Sequence, residues 1–212
     1  MKIIKPSVKV IFPLELTMTT NVNNGIYTRI EKLGRICYKS EDFITEDSSE
    51  KFVKNILKSG HESVIEHVSV TAIFTCDRGV SHEIVRHRIA SYSQESTRYC
   101  NYSKDKFGNE LTFIKPCYWT EESEEYQTWS SAMEYIERTY LRLLQFGAKP
   151  EQARSILPNS LKTEIAMTAN LREWRHFLKL RTSEKAHPQM REVANMVKEK
   201  FMNAIPILFE DI

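Results

Sequence analysis

At 212 residues, with 30 Lys and Arg against 28 Asp and Glu, the chain has room for one domain with a sizeable core, and its net charge of +2 supplies no global field to draw in nucleic acid or a membrane surface. An apolar share of 41% beside 27% charged residues is the balance expected of a soluble globular protein, and no run approaches the roughly 20 consecutive apolar residues of a membrane helix. The chain has only six glycines, and none forms a GxGxxG or GxxxxGK turn; any bound phosphate must therefore be held by side chains and helix ends rather than by a glycine cradle.

In chain order, residues 1 to 14 alternate enough at Val8, Val10 and Phe12 to predict a strand ended by Pro13. Ile26, Ile30, Leu33 and Cys37 then recur at helical spacing up to about Tyr38. Asp47-Ser48-Ser49-Glu50 reads as a helix start, with Phe52, Val53, Ile56 and Leu57 as its buried face and Gly60 as its stop. The β-branched run from His67 to Asp77 predicts a strand. Val80 to Ala90 reads as a helix leading into a hydroxyl-rich loop, and Tyr99 to Ile114 as a hairpin turning at Phe107-Gly108-Asn109.

A long helix is expected from Glu121 to Phe146, with acids crowding its N-terminus, where they suit the dipole. Its stripe of Tyr126, Trp129, Met133, Ile136, Tyr140 and Leu143 is expected to face the core. Pro150 opens a short helix that Pro158 closes. Further helices are expected over 160–180 and from Pro188 to Ala204. The sum is an α+β fold, a single domain over residues 1–212, helix-rich with a small, mostly antiparallel sheet.

Cys37, Cys76, Cys100 and Cys117 form no CxxC pair and read as reduced thiols, with Cys100 placed on a strand. The opening MKIIKPSVKVIF is too short and punctuated for a signal peptide, so a cytoplasmic protein is expected. Of the six histidines, His61, His67, His82 and His87 fall early, while His176 and His187 lie near Asn170, Arg172 and Arg181. His61 and His67 stand six apart, whereas a zincin helix needs four to put both rings on one face, so no metal is expected. No GxSxG elbow is present, and a serine without a base in contact is a poor nucleophile.

The arginines are more informative. Between residues 86 and 99, Arg86, His87, Arg88 and Arg98 are answered by one acid, Glu95, with Ser91, Ser93, Ser96 and Thr97 between them. Arg forks, hydroxyls and backbone N–H groups together make a phosphate site. Arg154, Arg172 and Arg181 extend the same pattern, and Tyr92, Tyr99 and Trp174 offer rings that could stack on a base.

Arg86-His87-Arg88, seven residues, then Ser96 resembles the RHR-x7-S signature of the flavin-dependent thymidylate synthases. SGHESVIEH (59–67), EQARSILP (151–158), NLREWRHFLKLR (170–181) and AHPQ (186–189) resemble further family segments and occur in family order, over roughly residues 25 to 205. The resemblance implies a homotetramer with active sites shared between subunits. Each site would bind FAD, dUMP, NADPH and methylenetetrahydrofolate and would methylate dUMP reductively at C5.

By the same resemblance, the dUMP site draws on Glu83, Arg86, Gln94, Glu95, Ser96, Thr97, Arg98, Arg154 and Arg181. The contribution around Gln94–Thr97 comes from the main chain, and Arg181 is the catalytic cation beside the pyrimidine. The FAD site draws on His61, Ser63, Arg86, His87, Arg88, Gln94, Asn170, Arg172, His176 and His187. Ser96 is read as a phosphate ligand rather than a nucleophile. Glu83 stands where the family often has Gln, Gln94 where some members have Glu, and His176 where some have Asn; Glu184-Lys185 lengthens the turn before His187. A nucleic-acid-binding module and a different flavoprotein oxidoreductase are the rival readings. The first has against it the near-zero net charge and the lack of a docking motif.

Overall fold

A computed structural model of the chain describes residues 1–13 and 22–212. Along it run β1 (Lys2–Ile4), β2 (Ser7–Ile11), α1 (Val22–Ile36), α2 (Ser48–Lys58), β3 (Ser69–Asp77), α3 (Arg78–Ile84), β4 (Ser91–Gln94), β5 (Thr112–Ile114), α4 (Glu124–Gln145), α5 (Pro150–Ala153), β6 (Lys162–Asn170), α6 (Leu171–Arg181) and α7 (Pro188–Ala204). A 3-10 turn over Glu62–His67 precedes β3. The fold is helix-rich α+β. β1 pairs in parallel with β5, and a four-stranded sheet runs β2-β3-β6-β4.

Contacts divide the chain into two compact units. One comprises Met1–Ser7, Phe74–Arg86 and Ser93–Ile165; the other comprises Val8–Ile73, His87–Tyr92 and Ala166–Ile212. The segments interleave, so no single cut in the chain separates them.

The first unit is built around Tyr102, Leu111, Phe113, Met133, Tyr140, Ala153 and Leu161. Trp129, Ile136 and Leu143 pack against this cluster, so the stripe of α4 faces the core as expected. Ser123 starts α4 by accepting a hydrogen bond from the Tyr126 amide at 3.2 Å. Asp77 starts α3 in the same way, accepting from the Val80 amide at 2.7 Å.

The second unit is centred on α6. Leu171, Trp174, Phe177 and Leu178 point inward at helical spacing and are fully buried. The Trp174 ring meets Phe177 and Phe201 edge-on at 5.3 and 5.4 Å, and its indole N–H donates to the Val70 carbonyl at 3.0 Å. Leaving the interior, the same helix turns Arg172, His176 and Lys179 to solvent.

Thr71 and Thr168 hydroxyls meet at 2.8 Å, and the Leu171 amide donates to the Val68 carbonyl at 2.9 Å. Contacts that advance along β6 as they retreat along β3 mark this pair as antiparallel.

Several expectations are corrected. The strand expected over residues 1 to 14 is two strands: Pro6, which has no N–H to donate, separates β1 from β2. Residue 14, the last of the stretch read as alternating, lies outside the described residues. The smaller sheet is parallel, not antiparallel. No hairpin spans 99 to 114. Asn101 turns the chain by accepting from the Ser103 amide at 3.0 Å, and Cys100 lies between turns rather than on a strand. Only the Gly108 turn survives, with φ of 73° at Gly108 and 57° at Asn109.

The helix expected over 160–180 is β6 running into α6. Thr163, Ile165, Met167 and Ala169 alternate into the core, and Asn170 caps α6 by accepting from the Glu173 amide at 2.9 Å. The helix expected to run to Ala90 stops at Ile84, so Arg86-His87-Arg88 does not end it. The Arg86 amide closes a turn by donating to the Glu83 carbonyl at 3.2 Å, His87 is buried between exposed Arg86 and Arg88, and strand β4 follows before the loop.

Candidate active site

The first unit holds Glu83, Arg86, Gln94, Glu95, Ser96, Thr97, Arg98 and Arg154. Gln94 is fixed by its side chain, which donates to the hydroxyls of Ser81 at 2.9 Å and Thr163 at 3.2 Å. Its side-chain N–H2 group is thereby spent within the fold. The Glu95 carboxylate is clamped by the Tyr102 hydroxyl at 2.9 Å and the Lys162 ammonium at 3.0 Å, while its amide donates to the Glu164 carbonyl. Burial works against the Lys162 charge, but the bonds to Glu95 and the nearness of Glu164 hold its pKa above the usual lysine range. Glu95 is therefore neutralised within its own unit and repels no incoming anion.

Beyond this clamp the chain turns. Ser96 Oγ accepts from the Arg98 amide at 3.3 Å, the Ser96 carbonyl accepts from the amides of Tyr99 and Cys100, and Thr97 is buried. Arg98 lies over the Tyr99 ring at 5.5 Å. Arg86, Arg98 and Arg154 are exposed, and no carboxylate among the described residues forms an ion pair with them. The charge imbalance read from the sequence thus persists in three dimensions.

The second unit holds His61, Ser63, His87, Arg88, Asn170, Arg172, His176, Arg181 and His187. At its centre is His87, 4% exposed. Its Nδ1 lies 2.9 Å from Glu173 Oε1, its Nε2 accepts from Arg181 Nε at 3.1 Å, and its carbonyl accepts from the Tyr92 hydroxyl. The ring also rests against Phe177 at 4.8 Å and His176 at 5.5 Å. Burial, together with the Arg181 charge, holds the His87 pKa below the usual imidazole range, even though Glu173 pulls the other way.

Asn170, Arg172, His176 and Lys179 line a groove of about 620 Å³ with Glu62, Glu66, Ile89, Glu173 and Arg175. Arg172 bonds Glu66 at 2.6 Å and Arg175 bonds Glu62 at 3.1 Å, so these two acids of the groove are neutralised, while Glu173 is bonded to His87. His61, Ser63 and Arg172 line a second cavity of about 460 Å³, walled by Phe52, Tyr38 and Gly34. Arg88 and His187 are exposed and line neither.

His87, Glu173 and His176 place a ligand atom each within 4.8 Å of one another. Both nitrogens of His87 are engaged, however, one by an acid and the other by the Arg181 cation, so a metal ion would have to displace a positive charge. Burial pushes the thiols of Cys76 and Cys100 up, away from the nucleophilic thiolate. Sequence reasoning missed Glu173, Tyr102 and Lys162. For Glu173 a signal was present: Asn170-x-x-Glu173 is a capping-box pattern, which also marks where α6 begins.

A family model described as thymidylate synthase complementing protein matches residues 19–207. A flavin-dependent thymidylate synthase of Pyrococcus furiosus is 41% identical over 160 residues, covering 74% of this chain and 65% of that protein, so just under two thirds of that relative's length is represented. One from Geobacter sulfurreducens is 35% identical over 184 residues, covering 84% of this chain and 78% of that protein. Among solved structures, a UMP/dUMP methylase from Streptomyces cacaoi bound with 5-Br dUMP matches with a TM-score of 0.76 over 99% of this chain and 96% of that one. At 23% identity, that likeness speaks to the fold.

Proposed function

The chain belongs to the flavin-dependent thymidylate synthase family, and from that premise we propose that it converts dUMP, methylenetetrahydrofolate, NADPH and a proton into dTMP, tetrahydrofolate and NADP+. The observation that carries this reading is the set of exposed arginines, Arg86, Arg98 and Arg154, that share a unit with the Ser96–Thr97 turn and have no acid partner among the described residues. Such a set suits a nucleotide monophosphate: guanidinium forks and a hydroxyl neutralise the phosphate without a glycine loop.

Asn170, Arg172, His176 and Lys179 fit FAD by their chemistry, since they offer donors to phosphate and ring oxygens in a groove where Glu62 and Glu66 are already paired with arginines. With His61, Ser63, Arg88 and His187 they would hold it, and bound FAD would supply the hydride, with NADPH as its source. The rest of the work falls to this chain's side chains. Arg181 stabilises negative charge on the pyrimidine as the ring accepts electrons at C6 and C5 becomes nucleophilic. Ser96 holds phosphate. No cysteine addition is needed, in keeping with the raised thiols of Cys76 and Cys100. The working assembly is a homotetramer in which neighbouring chains complete each site.

The test is dTMP formation from dUMP by the purified chain supplied with FAD, NADPH and methylenetetrahydrofolate, read by chromatography. Turnover dependent on all four supports the proposal. Flavin absorbance without any dTMP would leave only a different flavoprotein.

A further inference from the structure

We infer that Glu173 is a positioning residue for Arg181, acting through His87: its carboxylate fixes the imidazole proton on Nδ1, so that Nε2 presents a lone pair that holds the Arg181 guanidinium in place. The inference rests on the reading of Arg181 as the cation beside the pyrimidine.

The helix makes the arrangement necessary. Glu173 and Arg181 lie eight residues apart on α6, a rise of about 12 Å, too far for a direct ion pair. Phe177 lies midway on the same side of the helix, and the His87 ring rests on it at 4.8 Å. One imidazole therefore spans two helical turns, with Nδ1 at Glu173 and Nε2 at Arg181.

The proton assignment is dictated by the partners. Arg Nε is always a donor, so Nε2 must accept, and the ring's single proton must sit on Nδ1, where it donates to the carboxylate. Glu173 occupies the third position after the Asn170 cap, where a capping-box acid normally reaches back to the cap amide; here its Oε1 goes to His87 instead. Glu173 is only 8% exposed, so an ionised carboxylate there needs such a partner. The Tyr92 hydroxyl fixes the His87 backbone, which leaves ring tilt as the remaining freedom, and Glu173 and Arg181 remove it.

The ionisable groups facing the ring are Glu173, His176 and Arg181 from α6 and Tyr92 from β4. If the ring gains a second proton, Nε2 becomes a donor and the ring a cation, and the hold on Arg181 becomes repulsion.

The first measurement is independent of turnover. The imidazole 15N shifts of His87 in histidine-labelled wild-type protein near pH 7.5, assigned by their loss in His87→Asn, should report a neutral ring with its proton on Nδ1. A proton on Nε2, or on both nitrogens, overturns the inference. The second compares Glu173→Gln with wild type. The amide can offer its N–H2 to Nδ1 and so move the ring proton to Nε2.

The expected result is a kcat lower by roughly tenfold to a hundredfold, the range set by one hydrogen bond to a charged group. KM for dUMP and flavin binding should stay near wild type, and Glu173→Asp should recover part of the loss. Unchanged kcat in Glu173→Gln, or a loss confined to KM, overturns it. A wild-type chain that forms no dTMP sinks the proposed function, and the tautomer measurement then decides the Glu173–His87–Arg181 arrangement by itself.

Discussion

Removing one oxygen, by Tyr102→Phe, tests whether the Ser96 turn is held from behind. The Tyr102 hydroxyl is 2.9 Å from Glu95 Oε1, and the ring is buried among Leu111, Phe113 and Tyr140, so the substitution leaves packing intact. A hydrogen bond to a charged group contributes about 1.5 to 3 kcal/mol. Glu95 keeps Lys162 at 3.0 Å and its side chain is 12% exposed, so water replaces part of the loss and the lower end applies, about 1.5 to 2 kcal/mol. For a chain of this size each kcal/mol moves Tm by about 2 to 4 °C, so thermal unfolding should fall by roughly 3 to 8 °C.

If about half of that energy orders the adjoining Ser96–Arg98 turn, the dUMP Kd rises roughly three- to fivefold. Calorimetric titration with dUMP and a thermal melt read both quantities. A Tm within about 1 °C of wild type together with unchanged dUMP affinity refutes the clamp.

Arg181→Ala should retain flavin absorbance and lose dTMP formation by roughly a hundredfold or more, the scale of a lost charge stabiliser; near-normal turnover rules out that role. Ser96→Ala should raise the dUMP Kd up to about tenfold while turnover persists at saturation, and a dead enzyme that still binds dUMP would restore Ser96 as a nucleophile. Arg175 is 2% exposed and joins Glu62 to Asp211 and the Leu208 carbonyl. Arg175→Ala should therefore cost about 3 kcal/mol, at the low end because Asp211 is partly exposed, and a melt shifted by under about 2 °C contradicts this.

For His87 the folded pKa lies below the ordinary 6.5, so below that value the unfolded chain takes up a proton that the folded chain resists. Its contribution to stability is present above pH 6.5 and is lost as pH falls through the folded value. Melts from pH 7.5 to 5 should show a steeper acid loss in wild type than in His87→Asn, and parallel curves would remove His87 as the cause.

The sequence by itself was enough for elements whose patterns are local and long. The stripe of α4, the Pro188 start of α7, the β-branched β3 and the Gly108 turn all stand where residue spacing and turn chemistry put them. It was also enough for the arginine and hydroxyl block, because charge without nearby acids is visible in one dimension. The 162–170 stretch misled because Met167, Ala166 and Ala169 suit a helix as well as a strand. Pairing with β3 and the Asn170 cap decided between the two.

Which polar side chains are spent internally was a matter for tertiary structure alone. The family resemblance assigns Gln94 and Glu95 to the dUMP site through their main chain, and it is the fold that ties their side chains to Ser81, Thr163, Tyr102 and Lys162, residues 7 to 69 positions away. His87 and Arg181 were legible as separate site residues, but their mutual bond spans 94 positions and depends on Glu173 standing two helical turns before Arg181 on the same helix. Hydrogen bonds act over about 3 Å whatever the separation along the chain, so their partners are chosen only when the fold closes.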